Sequence, residues 1–473
     1  MKEIYFLTKL SEKFGLLVEN GDIHDLYMER PNKKEKLDSI YAGKIRNKDT
    51  SLQAFFVDIG NEKPGFLPFQ NIPQEIKNHY PLTDGSYLPV QIWKEAYQEK
   101  GPRLTANITL SNSALVYKPC GGLISSSKKL NKDEVERLVP FFKTILRENE
   151  GVIIRSEASL YTELAIQKML EQLRQQWQDI LARMNKVKRP SLLYERALVP
   201  DQMMNRYMHH SVDRFLFDDY EDYERMKQYF PSLKEAMEVI KTPRQIAGAS
   251  IDTWLNKFST KEVTKKTGVG LTIEVTEALT VIDVDTSTFR TNQPKEITLF
   301  KANQKAATYA VQEIRRRNLS GIILIDFLKM TNQKDRASII KQMKEQLQQD
   351  TIQTKIYGFT KLGLLEMTRK RERIGLYDLM KQKQEVAFYQ LERELYEYNQ
   401  QSSVEAVILK MNKTFYEIWQ KKDLSSIEKW NKISIYYVID DTVNNVDFYR
   451  VGSEDLIKEW IVENPEVIID KLI

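Results

Sequence analysis

Apolar and polar residues alternate in short segments along the first 118 residues, a pattern typical of β-strands. Residues 1–35 contain three such segments, EIYFLTKL, FGLLVENG and IHDLYMER, with Gly15, Gly21 and Asp22 available for turns. Residues 36–118 continue with IYAGKIRN, LQAFFVDIG, GFLPF, YLPVQIW and RLTANITL. Five short strands in succession predict a small β-barrel.

Helical spacing replaces this alternation after residue 118. A first helix is expected behind the capping pair Asn131 and Glu134, kinked or restarted at Pro140, and a longer one follows it. The apolar positions that predict the two helices are Val135, Leu138, Val139, Phe142, Ile145 and Leu146, and then Ile166, Met169, Leu170, Leu173, Trp177, Ile180, Leu181 and Met184. We interpret the second set as a face packed against a core.

Residues 268–360 alternate between strand and helix patterns and predict an α/β layer. The strand LTVIDVD, a helix and the strand GIILIDF form a crossover unit, which makes the two strands parallel, with their carboxyl ends at one edge. Farther on, helix is predicted from about 376 to 422. A hairpin of ISIYYVID and VDFYRVG and a helix from Ser453 are predicted to end the chain.

Composition describes a globular chain of several domains. The 473 residues correspond to roughly three domains at about 150 residues each. The 41% hydrophobic and 29% charged residues exclude collagen-like and wholly disordered classes. The single cysteine, Cys120, excludes an intramolecular disulfide and a zinc site with two thiolates, so any metal must have oxygen ligands. No apolar run is long enough for a membrane helix and charges fill the N-terminus, so we expect a cytoplasmic protein without a membrane segment.

Charge is distributed unevenly along the chain. Lys and Arg exceed Asp and Glu by 71 to 66, a net charge of +5, but residues 432–473 hold four basic and nine acidic residues. The body before them therefore carries about +10, which suits a polyanionic partner.

Three carboxylates mark the predicted strand ends. Asp283 and Asp285 end one strand, and Asp326 interrupts the apolar run of the next. If these strands are buried on both faces, a charged side chain is costly unless it is paired or binds a cation. Convergent carboxylates at this edge predict a Mg²⁺ site. The alternative is that they cap helices or pair with Arg290 or Lys329.

Basic residues follow the same elements. Arg315, Arg316 and Arg317 end the crossover helix, and Lys361, Arg369, Lys370, Arg371 and Arg373 follow the strand KIYGF. For the arginine triplet, a plain charge cluster at the helix end is the competing interpretation. Cations around metal-binding carboxylates predict phosphodiester chemistry.

These motifs resemble the bacterial ribonuclease E/G family. TEALTVIDVDTSTF, NLSGIILIDFLKMT and TKLGLLEMTRKR are similar, in order and spacing, to its catalytic domain. AFFVDIGNEKPGFLPF and KGPRLTANITL resemble its OB-fold RNA-binding domain, and CGGLISS with VIIRSEAS resembles its 5′-end sensor. The resemblance covers residues 1 to about 373.

The resemblance implies a multidomain α/β protein. Its expected parts are an RNase-H-like fold split between 1–35 and 200–258, an OB-fold barrel at 36–118, a 5′-sensor subdomain at 119–199, a deoxyribonuclease-I-like layer at 259–376 and a small α+β domain at 377–473.

The resemblance also implies an activity, which is Mg²⁺-dependent cleavage of single-stranded RNA, including mRNA and rRNA precursors, to 5′-phosphate ends in RNA decay and processing. Asp283 and Asp326 match the metal ligands, and Asp285 is included in the catalytic site although the family has asparagine there. Phe56 and Phe66 match an aromatic platform, with Lys100 and Arg103 as phosphate contacts; without the resemblance both phenylalanines would be assigned to the core. Gly122, Arg155 and Ser156 match the sensor of a 5′-monophosphate.

Two departures from the family pattern change these expectations. Gln353 stands where an arginine completes the sensor, which predicts weak sensing. The Cys-Pro-x-Cys pair that shares a zinc between subunits is missing, so we expect no zinc, and any homo-oligomer would not be zinc-linked. The competing hypotheses are a catalytically weak or inactive RNA-binding scaffold of the same family and a nuclease for DNA.

Overall fold

A computed structural model describes residues 1–31, 37–96, 100–128, 130–208, 210–264, 267–286, 294–464 and 470–472. The strands are β1 (Lys2–Leu7), β2 (Lys13–Glu19), β3 (Asp22–Glu29), β4 (Ile40–Asp49), β5 (Ala54–Asp58), β6 (Gly65–Pro68), β7 (Tyr87–Lys94), β8 (Arg103–Thr105), β9 (Leu110–Ser111), β10 (Leu115–Lys118), β11 (Ile124–Ser126), β12 (Gly151–Ile154), β13 (Ser191–Tyr194), β14 (Arg214–Phe217), β15 (Met237–Val239), β16 (Glu262–Thr264), β17 (Gly270–Val275), β18 (Leu279–Asp285), β19 (Gly321–Asp326), β20 (Thr354–Phe359), β21 (Leu364–Arg369), β22 (Ala406–Met411), β23 (Ser434–Ile439), β24 (Val446–Gly452) and β25 (Asp470–Lys471).

The strands form five sheets, and helices connect many of them along the chain. The helices are α1 (Gln74–His79), α2 (Lys132–Ile145), α3 (Glu163–Met184), α4 (Met203–Tyr207), α5 (Tyr220–Tyr229), α6 (Ile251–Ser259), α7 (Lys295–Arg316), α8 (Gln333–Leu347), α9 (Leu376–Met380), α10 (Lys383–Asn399), α11 (Lys413–Lys421), α12 (Ser425–Trp430) and α13 (Glu454–Glu463). In the described part of the chain, no helix combines the length and the apolar character that crossing a membrane requires.

The first sheet joins two distant segments in the order β15-β14-β1-β2-β3. Strands β1, β2 and β3 are antiparallel, and β14 pairs with β1 in parallel. About 185 residues between β3 and β14 therefore form an insertion into this sheet.

The next sheet closes on itself. β4-β5-β6-β8-β7 are hydrogen-bonded in this order, and β4 also pairs with β7. This confirms the predicted closed barrel, whose interior is an apolar cluster that includes Phe55, Val57 and Leu104. After the barrel, α2 and α3 pack with the small sheet β11-β12-β10-β9. The Asn131 side chain caps α2 by accepting from the Glu134 N–H, and α2 continues through Pro140 as one helix.

The six-stranded sheet β16-β17-β18-β19-β21-β20 is the α/β layer. β18 and β19 are parallel as predicted, with α7 as their crossover. Apolar residues of both α7 and α8 belong to one cluster with residues of this sheet, among them Ile282, Ile325 and Leu365. Both helices therefore lie on the same face, so the condition that these strands are buried on both faces is not met.

The C-terminal region also differs from its prediction. Residues 406–411 form the strand β22 rather than part of a helix, and the sheet order is β24-β22-β23-β25. β22 is parallel to β23 and antiparallel to β24, so it separates the two strands that were expected to form a hairpin. Its run AVILKM is buried at five of six positions, which is typical of a central strand.

A buried ion pair connects the first sheet to the α/β layer. Arg315 at the end of α7 donates through Nη2 and, at 3.3 Å, through Nε to the Asp25 carboxylate of β3. The Tyr207 hydroxyl of α4 donates to the same carboxylate at 2.6 Å. Burial alone would raise the pKa of Asp25, but the charge and hydrogen bonds of Arg315, with Tyr207, outweigh it and lower that pKa.

We predict that Asp25→Asn lowers the free energy of unfolding by roughly 3–5 kcal/mol, because Arg315 loses its charged partner inside the fold. Urea denaturation at neutral pH measures this loss. Because the folded-state pKa is lowered, the stabilisation is present above the ordinary carboxyl pKa and disappears as pH falls through the folded value. Glu136→Gln, which breaks the exposed pair with Lys132, is the control and should cost less than about 1 kcal/mol; equal losses would contradict the prediction.

Candidate functional site

Asp283 and Asp326 occupy directly opposite positions on adjacent strands. The parallel register of β18 and β19 pairs them near the carboxyl ends of both strands. Neighbouring strands lie roughly 4.8 Å apart, so the two carboxylates are brought together as the sequence predicted. Both side chains are exposed on the face of the sheet opposite α7 and α8.

Neither carboxylate has a partner among the residues that the structure describes. Within the described ranges, no hydrogen bond or ion pair involves the side chain of Asp283 or Asp326, so the pairing with Lys329 and the helix-capping role are both wrong. Arg290, the other suggested partner, lies outside the described residues. The sheet is covered on one side only, so the cost of burial is not the argument for a bound cation here. The argument is that two like charges lie close together, and a cation would neutralise them.

Asp285 lies on the same face, two residues beyond Asp283. Its Oδ1 accepts from the Thr286 backbone N–H at 2.7 Å. Nowhere in the described part of the chain do three His, Cys, Asp or Glu side chains approach closely enough to hold one ion. The structure therefore brings two carboxylates together, not three. Thr272 of β17 faces Asp283 from the other side, a neighbour that the sequence pattern did not single out.

Most of the predicted cations lie at the opposite edge of the layer. α7 leads back to the start of β19, and β21 runs antiparallel to β19, so both elements end far from the carboxylates. Arg316 and Arg317 are buried near Glu313, at 3.6 and 2.7 Å. With Arg315 on Asp25, the prediction that this triplet surrounds the carboxylates is wrong.

The second basic group, Lys361 with Arg369, Lys370, Arg371 and Arg373, also lies mostly away from the carboxylates. Arg369 forms a buried 2.7 Å ion pair with Asp350, and Lys370 pairs with Glu372 at 3.1 Å. Arg371 and Arg373 follow them at that far edge, so none of these four residues rims the carboxylates. Lys361 is exposed in the turn before Leu364, which is opposite Asp326, and it remains near the site.

The barrel presents an aromatic pair on its outer surface. Phe56 and Phe66 are directly opposite on β5 and β6, with ring centroids 5.9 Å apart, and both are partly exposed. Arg103 pairs with Phe66 in register and lies 5.8 Å from its ring centroid. Phe55 points into the barrel core, as strand alternation requires, so the core assignment is wrong for Phe56 and Phe66.

Two lysines extend this surface. Lys94 of β7 is opposite Arg103 and exposed, and the sequence reasoning missed it because its position depends on a register shift after Ile92. Lys100 is exposed in the connection before β8. The barrel surface therefore combines aromatic faces with adjacent positive charge.

Arg155 follows the carboxyl end of β12. Its Nη1 donates to Oδ1 of Asn205 at 2.8 Å, and Ser156 begins the next short helical turn. Burial, with the nearby charge of Arg196, lowers the pKa of Arg155 to about 10. Asn205 lies 50 residues away in sequence, so nothing in the local pattern indicated this partner.

Gly122 lies in a turn beside the amino end of β12, where backbone carbonyls already accept from its turn's N–H groups. The Gly121 and Gly122 N–H groups donate to the carbonyls of Lys118 and Asn149, at 3.3 and 3.0 Å. The glycine turn contacts Gly151, the first residue of β12. Arg155 is four residues farther along the chain and therefore roughly 13 Å away, at 3.3 Å per residue. Within the described residues, no hydrogen bond joins Arg155 to Gln353, whose carbonyl accepts from Lys370 N–H.

We predict that Gly122→Ala destabilises the fold by roughly 1–2 kcal/mol, because its φ of +59° lies in the left-handed region. A Cβ there meets no atom within 4 Å, so the loss is conformational rather than steric. Thermal unfolding measures it. Gly452→Ala, which has equal space but no positive φ, is the matched control; an equal effect of the two substitutions would contradict the prediction.

Comparison with known proteins agrees with this arrangement. The chain is 30% identical over 377 residues to Ribonuclease G of Haemophilus influenzae, covering 76% of this chain and 77% of the relative. It is 28% identical over 383 residues to Ribonuclease G of Escherichia coli K12, covering 77% and 78%. It is 29% identical over 390 residues to Ribonuclease E of the same strain, covering 77% of this chain and 36% of that protein. Residues 109–372, more than half of the chain, match the sequence profile of the Ribonuclease E/G family, and the protein belongs to that family.

Proposed function

We propose that the protein is an endoribonuclease that cleaves single-stranded RNA at the edge formed by Asp283 and Asp326. The observation that carries this proposal is the register pair of two exposed carboxylates on an open sheet face, with no partner for either among the described residues. Relatives named Ribonuclease G and Ribonuclease E support the reaction class, a phosphodiester hydrolysis.

The donor set suits a hard divalent cation, which we propose to be Mg²⁺. Asp283 and Asp326 offer carboxylate oxygens without competing cations, and no thiolate or imidazole is needed. When bound, Mg²⁺ supplies charge stabilisation at the phosphate and a more acidic water. The two aspartates hold the site, and the one-sided helical cover leaves it open to a polymeric substrate.

Asp285 lies beyond the pair and is proposed to orient groups near the scissile phosphate. The family pattern has asparagine there, and a third negative charge favours the second candidate function, a catalytically weak or inactive RNA-binding scaffold. Cleavage of a labelled RNA with and without Mg²⁺ decides between the two. Competition by single-stranded DNA tests whether RNA is the preferred substrate.

The barrel is proposed to hold unpaired bases. Phe56 and Phe66 offer stacking faces, and Arg103, Lys94 and Lys100 supply charge for phosphates. Arg155 and Ser156 are proposed as a reduced 5′-phosphate sensor, since the amides of the glycine turn donate to backbone carbonyls and Gln353 replaces the arginine of the family pattern.

The finer organisation also belongs to this proposal. The sheet order β15-β14-β1-β2-β3 supports an RNase-H-like subdomain of 1–35 and 200–258, and the one-sided layer supports a deoxyribonuclease-I-like subdomain at 259–376. We further propose that cleavage leaves 5′-phosphate ends and that the substrates are mRNA and rRNA precursors in the cytoplasm. If the protein associates with itself, we propose that zinc does not link the subunits.

Asp283→Asn and Asp326→Asn should each reduce cleavage by roughly a hundredfold or more while leaving RNA affinity unchanged, because each removes one charge from the cation site. Single-turnover cleavage and filter binding with one single-stranded RNA measure the two effects. Glu262→Gln replaces an exposed carboxylate two strands from Asp283 and should behave like wild type. Undiminished cleavage by either aspartate variant would refute the assignment.

Phe66→Leu should weaken single-stranded RNA binding roughly five- to hundredfold, equivalent to about 1–3 kcal/mol for a lost stacked base. The cleavage rate at saturating RNA should be unchanged, because the ring does not touch the carboxylates. Tyr220→Leu removes an exposed aromatic ring from another part of the molecule and serves as control. Equal affinities of wild type and Phe66→Leu would rule out the platform.

A further inference from the structure

Arg373 is a buried guanidinium without a charged partner. The residue is 8% exposed, and its Nε has no hydrogen-bond partner. Across the described segments, no ion pair or hydrogen bond to the rest of the guanidinium is present either. The guanidinium lies over the ring of Tyr27, with its central carbon 3.4 Å from the ring centroid. An unpaired buried charge is costly, so its presence needs an explanation.

The surroundings hold this arginine in place. The Asn318 side chain donates to the carbonyls of Arg373 and Ile374 at 3.3 and 3.2 Å, and its own oxygen accepts from Arg369 at 2.8 Å. With Tyr27 beneath the guanidinium plane, both the backbone and the side chain are preorganised before any ligand arrives.

Arg373 lines a cavity of about 610 Å³ at the edge of the sheet away from Asp283 and Asp326. Cationic lining residues outnumber anionic ones, with Arg317, Arg371, Arg373 and Lys381 against Glu277 and Asp378. Arg317 is committed to Glu313, and Lys381 lies 3.8 Å from Asp378. Arg371 and Arg373 then remain against Glu277, so the lining that the structure describes keeps one positive charge in excess.

Two hydroxyl groups complete the donor set. Ser320 and Thr280 line the same cavity, and Ser320 Oγ accepts from Arg371 Nε at 3.4 Å. A hydroxyl that accepts one hydrogen bond still has its proton to donate. A guanidinium fork with neighbouring hydroxyl and cationic donors matches the several oxygens of a phosphate group better than a single carbonyl or halide.

We propose that this cavity is a phosphate-binding site, centred on Arg373 and separate from the cleavage edge. The phosphate belongs either to a small phosphorylated compound or to the backbone of bound RNA. The site does not depend on the proposed nuclease activity, because it shares no residue with the carboxylate pair or the barrel platform.

The test measures binding of inorganic phosphate to the full-length protein without Mg²⁺, at ionic strength held constant with chloride. Calorimetric titration and thermal unfolding are the readouts. Wild type should bind phosphate and unfold at a higher temperature in its presence. Arg373→Met should bind phosphate roughly tenfold more weakly or worse, as expected for a lost charge-assisted hydrogen bond. Absence of binding by wild type, or equal binding by the variant, would overturn the proposal.

Stability without phosphate separates a binding role from a structural one. If Arg373 is kept for a ligand, Arg373→Met should unfold at the same temperature as wild type or higher in chloride alone, because a desolvated charge is removed. A large drop would assign the arginine to the fold and count against the site. Ser320→Ala provides the second variant: it should bind phosphate several-fold more weakly, and unchanged affinity would contradict the donor set.

Two controls define the location and the source. Arg147→Met removes an exposed arginine elsewhere; it should keep the phosphate response, and loss of that response would place the site wrongly. A single-stranded RNA with a 5′-hydroxyl end then competes with phosphate if the backbone is the source. If it does not compete while phosphate still binds through Arg373, the site is assigned to a small phosphorylated compound.

Discussion

The one-sided packing of α7 and α8 determines the arrangement of the α/β layer. Because both helices bury the same face of the six-stranded sheet, every second residue of β18 and β19 enters a common apolar cluster. The alternate residues must face away from it. Asp283 and Asp326 therefore remain accessible, while the strands that carry them are anchored to the helices on the other face. A second layer of helices would have closed this face and imposed a large desolvation cost on both carboxylates.

The sequence predicted the position of the carboxylate pair but not its environment. A crossover helix makes β18 and β19 parallel, and the rule that parallel strands end together was sufficient to bring Asp283 to Asp326. The open face was also encoded, since Ile282 and Val284 alternate with Asp283 and Asp285. The helix positions that decide which face is covered depend on contacts between distant segments, which a local pattern does not contain.

The charged residues show even more clearly that a local sequence pattern does not reveal which distant residues a side chain contacts. Arg315, Arg316, Arg317 and Arg369 look like surface cations in sequence, yet each lies inside the fold beside a carboxylate. Their partners Asp25 and Asp350 are distant in sequence or belong to another element. The predicted C-terminal hairpin failed for a related reason, since β22 enters between β23 and β24. Net charge of the body thus overstates the positive surface available to a nucleic acid.

The split first sheet has a consequence for the order in which the chain acquires structure. β1 pairs with β14, whose last residue is Phe217, so on the ribosome its edge stays unpaired while about 200 further residues are made. At roughly 5–20 residues per second, this interval lasts about 10–40 s. The barrel, by contrast, draws β4 to β8 from one continuous stretch and needs only β13 from farther along. The barrel and the small sheet after it can fold during synthesis, whereas the sheet that encloses them in sequence closes only after both, and until then β1 has a free edge open to wrong partners.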